Sequence, residues 1–342
     1  MIKVSVVILN WNGEELMKKF LPSIVEFTPK DIAEVVVADN GSTDGSVEWL
    51  KSTFPEVRII ILDKNYGFTG GYNRALKQID AKYYVLLNSD VEVKEDYITP
   101  LYEMAEADEK VGVLMPKLLS QKEPNKFEYA GACGGFVDSL YFPYCRGRLL
   151  GDTEEDMGQY DTPKEIFWAS GACFFVRSEL YNSLGGLDND FFAHFEEIDL
   201  CWRIQRVGYK IMVNPKARVF HLGGATLDNT SPRKLYFNFR NSLYMIHKNA
   251  RKERLYGIII CRMIIDGFIA VAYLLKLQPK YFVSVLKAHI SYYKNIPKLS
   301  TKRQLMSKKV TKKYKFKGVG KGLVILSFIP FVKNSLRSIF SK

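Results

Sequence analysis

The sequence predicts an α/β fold on a mostly parallel, doubly wound sheet, followed by a basic helical extension. Three observations carry this. Residues 4–9 form an unbroken, β-branched apolar run, the pattern of a strand buried on both faces. Strand-like runs then alternate with helical spacing up to about residue 115, as βαβ units do. Charge divides along the chain: from Arg233 onward 25 Lys and Arg face two acids, a net of +23, whereas the first 232 residues carry 24 basic and 35 acidic residues, a net of −11.

Taken in order, residues 14–27 place Leu16, Phe20 and Ile24 at helical spacing, and residues 34–38, 58–62 and 83–87 read as further strands. Between the last two, residues 69–79 read as a helix. Residues 146–164 are acidic and weakly apolar, and are expected to be a mobile loop. A strand is expected over 166–176 and a helix over 191–207. At 47% hydrophobic residues, a chain of 342 can bury a sizeable core. Its five cysteines form no C-x-x-C pair, which speaks against a disulfide framework or zinc site and for a reducing compartment. The first apolar run is too short for a signal peptide. The 13% aromatic content suits either a plain core or a sugar-handling cleft.

In parallel sheets ligands bind at the carboxyl ends of the strands. Polar clusters follow three of these strands: Asn10-Trp11-Asn12-Gly13, Asp39-Asn40-Gly41-Ser42-Thr43-Asp44, and Asn88-Ser89-Asp90. Asp39 suits hydrogen bonding to a base or ribose, but the same residues suit a turn, with Asp44 capping a helix near Ser46. Asn65 through Asn73 is a Gly-rich loop, with Gly67, Gly70 and Gly71, opening a helix whose N-terminus favours a diphosphate. It is neither the dinucleotide fingerprint nor a P-loop. Asp90 suits a divalent cation that bridges substrate phosphates, or else a helix cap. His221, after a strand-like segment, suits a metal ligand or a structural imidazole; His194, His247 and His289 are read as structural. Glu196, Glu197 and Asp199 crowd a helix start. Dipole stabilisation and an Asp199–Arg203 pair account for Asp199, while the apolar surroundings of Glu196 and Glu197 suit a general base.

Together these segments resemble family 2 glycosyltransferases with the GT-A fold. Later matches are Trp168-Ala169-Ser170-Gly171-Ala172, Gly185-Gly186-Leu187-Asp188, the acidic helix start and Val219-Phe220-His221. They look like the bacterial rhamnosyltransferase-like and galactofuranosyltransferase-like branch. The resemblance covers about residues 3–250 and implies a catalytic domain over 1–250; charge and apolar runs lead us to expect a membrane-associating extension over 251–342. It implies a nucleotide pocket lined by Asn10, Asn12, Asp39, Asn65, Gly67, Gly71, Asn73, Asn88 and Trp168. It also implies a divalent metal (Mg²⁺ or Mn²⁺) on Asp90 and His221, with Asn88 standing where the family's D-x-D has its first acid. The base position falls on Glu197, with Glu196 its alternative and Asp199 closing the motif. The implied reaction is inverting transfer of a sugar, from a dTDP-rhamnose or UDP-hexose type donor, to a hydroxyl of a growing glycan. The acceptor is expected to be a glycan or lipid-linked glycan of the cell surface.

In the extension, residues 255–275 are long enough to cross a bilayer but contain Arg262 and Asp266, each costing roughly 2.5–3.5 kcal/mol at its centre. Lying at the interface, or packing on the catalytic domain, is cheaper. With residues 308–321 so basic and the apolar run 322–332 too short to span, an anchor on an anionic membrane surface is expected, at the cytoplasmic face of the cell membrane; the competing reading is a solvated helical tail. Two rival functions are a basic nucleic-acid-binding protein and a nicotinamide-dependent dehydrogenase. The first is disfavoured because the charge is concentrated behind an acidic domain, so no nucleic-acid partner is expected. The second is disfavoured because Asn10-Trp11-Asn12-Gly13 stands where the dinucleotide fingerprint belongs.

Overall fold

The structure, a computed structural model, describes residues 2–149, 151–223, 231–310 and 316–324. The chain opens with β1 (Ile2–Asn10), α1 (Glu14–Phe27), β2 (Ala33–Asp39), α2 (Ser46–Thr53), β3 (Arg58–Ile61), α3 (Gly67–Ala75) and β4 (Ala81–Leu87). This is the order that the periodicity predicts. β1 lies between β2 and β4 and is parallel to both, with Val6 opposite Val35 and Val85; β3 extends the sheet beyond β2. Burial on both faces explains why Val4, Val6, Val7 and Ile8 are all inaccessible to water.

The chain continues through β5 (Val91–Glu92), α4 (Thr99–Ala107), β6 (Val111–Ser120), β7 (Gly135–Val137), β8 (Pro143–Cys145), β9 (Arg148–Leu149), β10 (Asp152–Thr153), β11 (Lys164–Ile166) and β12 (Cys173–Arg177). Then come α5 (Ser178–Ser183), α6 (Glu196–Arg206), β13 (Lys210–His221), α7 (Pro232–Asn249), α8 (Lys252–Leu275) and α9 (Pro279–Lys309). The main sheet runs β11-β13-β6-β12-β4-β1-β2-β3, with β5 on β13; β7 to β10 form a small antiparallel sheet. β12 is antiparallel to both β4 and β6, while β13 is parallel to β6. β4, β6 and β13 therefore point the same way, which brings His221, at the end of β13, to the edge where Asn88 and Asp90 follow β4.

Four local expectations are corrected. The strand over 166–176 is two strands, because β11 pairs at the sheet edge with β13 whereas β12 is inserted between β4 and β6. The helix over 191–207 starts only at Glu196, because Phe192, His194 and Phe195 all have positive φ, which an α-helix excludes. The supposed loop over 146–164 contains β9 and β10, and Lys117 holds it through ion pairs with Asp156 and Asp161. That buried lysine, with Pro116 beside it, also interrupts the apolar pattern of β6, a strand the periodicity did not announce.

The expected divide at residue 250 falls at the C-cap of α7, yet polar contacts cross it. Lys302 pairs with Asp188 and Asp190, and Arg303 donates to the carbonyls of His247 and Ala250. Residues 316–324 return to the catalytic body: Val319 bridges Val137, and the Val324 amide donates to Asp138. Residues 311–315 of the basic stretch and 325–332 of the last apolar run lie outside the described residues.

Candidate active site

The ends of β1 and β2 are stitched by side chains. Asn10 Nδ2 donates to Asp39 Oδ1 (3.1 Å) and to the hydroxyl of Ser46 (2.9 Å), and Asp39 Oδ2 accepts from the Ser42 amide. Asn10 Oδ1 is buried without a partner. Asp44 accepts from the amides of Ser46 and Glu14, so it caps the entries of two helices. Asn12 accepts from the Thr43 amide (2.7 Å) and joins the two loops at the surface.

The Gly-rich loop is held by Asn40, which the candidate set did not include. Its amide group donates to Asn65 Oδ1 and the Gly67 carbonyl, and its oxygen accepts from the Tyr66 amide. Gly71 faces β1, where a Cβ would stand 2.7 Å from a Leu9 methyl, so this glycine admits close helix–strand packing. Asn73 commits both ends of its amide to Leu187, Asn189 and Tyr181, bracing the loop that leads to α6. Trp168 is buried. Its Nε1 donates to the Phe136 carbonyl and its ring covers Gly135, where a Cβ would lie 2.1 Å away.

Asn88, Asp90 and His221 converge. His221 Nε2 lies 3.0 Å from Asp90 Oδ1 and 3.4 Å from Asn88 Nδ2. On its other side, Nδ1 lies 3.2 Å from Glu128 Oε1, an ion-pair contact that misses hydrogen-bond alignment. Burial opposes a charge on this imidazole, but Asp90 and Glu128 outweigh it and raise its pKa to about 10. Glu128 belongs to no recognisable motif, and only the approach of the β6–β7 connection to the end of β13 reveals it.

Two atoms 3.0 Å apart match neighbouring ligands of an octahedral ion with bonds of about 2.1 Å. The Asp90 oxygen suits Mg²⁺ or Mn²⁺, while an imidazole nitrogen favours a transition metal, so of the two Mn²⁺ fits the pair better. Among the described residues, no group of three or more His, Cys, Asp or Glu is arranged to hold a metal. The protein thus offers a pair, with water and substrate phosphates left to complete the ion, and His221, protonated near neutrality between its two carboxylates, must release that proton before Nε2 can join Asp90 as a ligand.

The acidic helix start is the most strained part of the site. Phe192, His194 and Phe195 are all left-handed, a conformation that costs about 1–3 kcal/mol per residue. Asn241, on α7, holds this loop by donating to the carbonyls of Phe191, Ala193 and His194 (2.8–3.0 Å), and Arg240 donates to those of Asp190 and Phe191. Glu196 is buried and Glu197 half-buried, and each keeps one oxygen without a partner. Burial raises Glu197 to about 7; burial and then the charge of Glu197 raise Glu196 well above the carboxylate range. Asp199 faces the other way. It is inaccessible to water and accepts from Arg203, Lys248 and Asn249, which ties α6 to α7.

The Trp168–Ala172 segment links the two clusters. The Ala169 amide donates to Cys201, one turn beyond Glu197, and Ser170 donates to the Ala130 carbonyl, two residues beyond Glu128. The segment therefore connects the start of α6, which carries Glu197, to the residues behind the Asp90–His221 pair.

Comparison with known proteins accords with this geometry. The profile of the family described as Glycosyl transferase family 2 matches residues 5–185. An N-acetylglucosaminyl-diphospho-decaprenol L-rhamnosyltransferase of Mycobacterium tuberculosis is 25% identical over 233 residues, 63% of this chain and 75% of that protein. The low-salt glycan biosynthesis hexosyltransferase Agl10 of Haloferax volcanii is 24% identical over 245 residues, 70% of this chain and 73% of that protein. Among solved structures, GalNAc-T7 with UDP, GalNAc and Mn²⁺ superposes with a TM-score of 0.59 at 16% identity, covering 99% of this chain and 58% of the other. The mannosyltransferase PcManGT from Pyrobaculum calidifontis, with GDP-Man and Mn²⁺, gives 0.52 at 15% identity, covering 85% and 87%. The fold is of the GT-A type.

Proposed function

The chain belongs to glycosyl transferase family 2 and is a glycosyltransferase of glycan biosynthesis, and from that premise we propose an inverting, metal-assisted transfer from a nucleotide sugar to a hydroxyl of a lipid-linked glycan. The observation that supports this reading is the Trp168–Ala172 segment, whose hydrogen bonds reach Cys201, one turn from Glu197, and Ala130, two residues from the carboxylate behind His221. Dehydrogenase and nucleic-acid readings fall with the family membership.

In this proposal, Asp39 and Asn10 receive the nucleoside at the ends of β1 and β2. Asn12, Asn65, Gly67, Gly71 and Asn73 shape the pocket around it, and Asn88 and Trp168 complete its floor. A divalent cation held by Asp90 and His221 would neutralise the charge growing on the departing diphosphate. Glu197 accepts the proton of the attacking hydroxyl, and its raised pKa keeps it basic enough for that task near neutrality. Glu196 holds its own proton more tightly and Asp199 anchors the helix, so both position Glu197. Attack from the face opposite the leaving group inverts the anomeric carbon. The mycobacterial relative's name supports a diphospho-lipid acceptor and a rhamnosyl donor; the donor proposed is dTDP-rhamnose or a UDP-hexose.

The extension supports a membrane site for this reaction. α8 is the one helix among the described residues long and apolar enough to span a bilayer. Arg262 and Asp266, within its apolar run, nevertheless point inward. Arg262 donates to the Leu140 carbonyl and the Ser242 hydroxyl, and Asp266 pairs with His289. They find separate partners instead of one another. Its outer face, Tyr256, Ile260, Ile264, Phe268 and Leu275, is exposed, Phe268 by 73%. An apolar outside on a helix with a polar inside suits burial in lipid headgroups, beside the lysines of α9. The peripheral position on the inner face of the cell membrane, with residues 1–250 catalytic and 251–342 membrane-associating, is part of the same proposal. The test is a thermal-shift screen of the full chain with UDP-, dTDP- and GDP-sugars, with Mn²⁺, Mg²⁺ or chelator. A metal-dependent rise with one nucleotide class is expected; no response to any nucleotide sugar would overturn the reading.

A further inference from the structure

Arg148 is an anomaly among the inward cations. Lys117, Arg203 and Lys248 each meet a carboxylate, and Arg146, Arg177 and Arg262 each reach backbone carbonyls. Among the described residues, Arg148 makes no hydrogen bond to an oxygen. One of its amine groups reaches Cys145 Sγ at 3.5 Å, its guanidinium lies 4.3 Å over the Tyr129 ring, and its Nε is buried without a partner. Among the described residues no carboxylate comes within 4.0 Å of it.

Its position gives the anomaly meaning. Arg148 opens β9, just past the turn that follows β8, so Cys145 is its cross-strand partner. Tyr129, on which it stacks, adjoins Glu128, the carboxylate behind His221. On the other side, the Cys145 thiol, raised by burial, is pushed further by the negative charge of both Glu128 and Glu197. Through Tyr129 the guanidinium sits beside the carboxylate that backs the Asp90–His221 pair. A buried Nε without a partner is costly, and the planar fork matches phosphate oxygens two at a time.

We propose that Arg148 is a diphosphate-binding residue, whose free N–H groups clamp the oxygens of a diphosphate carried at the Asp90–His221 pair. This rests on the glycosyl-transfer reading of the cleft. Two sources share the chemistry: the nucleoside diphosphate of the donor and the diphosphate of a lipid-linked acceptor.

The experiment measures binding to the full chain, with Mg²⁺, of inorganic diphosphate, of UDP and dTDP, and of a short prenyl diphosphate. Wild type is compared with Arg148→Ala and Arg148→Lys. Inorganic diphosphate affinity is expected to fall at least tenfold in Arg148→Ala and to fall less in Arg148→Lys, which keeps the charge but not the fork. A parallel loss for UDP or dTDP assigns the clamp to the donor; a loss for the prenyl diphosphate alone assigns it to the acceptor. Unchanged affinity for all of these probes in both Arg148 variants overturns the proposal, as does a wild type that binds none of them. Should Arg148→Ala not fold, Arg148→Lys carries the test. If wild type transfers sugar and the variants bind diphosphates normally, only the clamp fails. If wild type binds inorganic diphosphate through Arg148 but binds no nucleotide, it is the glycosyl-transfer reading that fails.

Discussion

Glu197→Gln keeps the size of the side chain and removes its ability to carry a proton, so it affects chemistry and stability in opposite directions. A positioned general base contributes about 10²–10⁴ in rate, or about 3–5 kcal/mol of barrier. The variant should therefore lose that factor in kcat while donor affinity stays within about twofold, because among the described residues no hydrogen bond or ion pair joins Glu197 to the nucleotide side. Stability moves the other way. The carboxyl rises from 4.5 to about 7 in the folded state, so folding favours its neutral form. Below about pH 4.5 the folded and unfolded states both hold the proton and the charge costs nothing. As pH rises through 7 the wild type loses this advantage, at most about 3 kcal/mol, because water reaching the half-buried group screens it. The glutamine has no such loss. Melting curves of the two proteins should nearly coincide at pH 5 and separate by pH 8, with Glu197→Gln the more stable. Wild-type kcat/KM should rise with pH up to about 7. Turnover near wild type in Glu197→Gln, with loss in Glu196→Gln, would refute the assignment and move the base one residue back.

Asp90→Ala and His221→Ala should each weaken Mn²⁺-dependent nucleotide binding by tenfold or more in calorimetry, while activity unchanged in excess chelator would exclude the metal role. Glu128→Gln leaves both ligands in place but loosens the imidazole, so Mn²⁺ affinity, read by electron paramagnetic resonance, should drop about tenfold; an unchanged affinity would make Glu128 a bystander. Asn241→Ala strips hydrogen bonds from three carbonyls of a strained loop, so a loss of about 1–3 kcal/mol in stability is expected by denaturant unfolding, with a matching fall in kcat. On the outer face of α8, Ile264→Glu with Phe268→Glu should abolish sedimentation with anionic liposomes while leaving the melting temperature within a degree or two. Liposome binding that persists would point instead to the basic charge alone.

The sequence by itself carried the half of the fold that depends on local pattern. The strand after Lys3, the helix over 14–27 and the alternation through Leu87 are short-range periodicities, and the polar clusters mark strand ends because a chain leaving a buried strand must solvate its backbone. The family motifs were equally legible as contiguous strings. Tertiary structure decided what depends on distant segments meeting. Residues 166–176 divide between two strands of the sheet, and Glu196 becomes a helix start only because Asn241 holds left-handed residues before it. Asp199 serves as an anchor because α7 brings Lys248 and Asn249 to it. Glu128 and Arg148 carry no motif, since a carboxylate behind an imidazole and a guanidinium without an oxygen partner are facts about neighbours that no single stretch of chain contains. The extension shows the same limit from the other side: its composition announces apolar and basic character, but the direction in which Arg262 and Asp266 point is set by the surface they pack against.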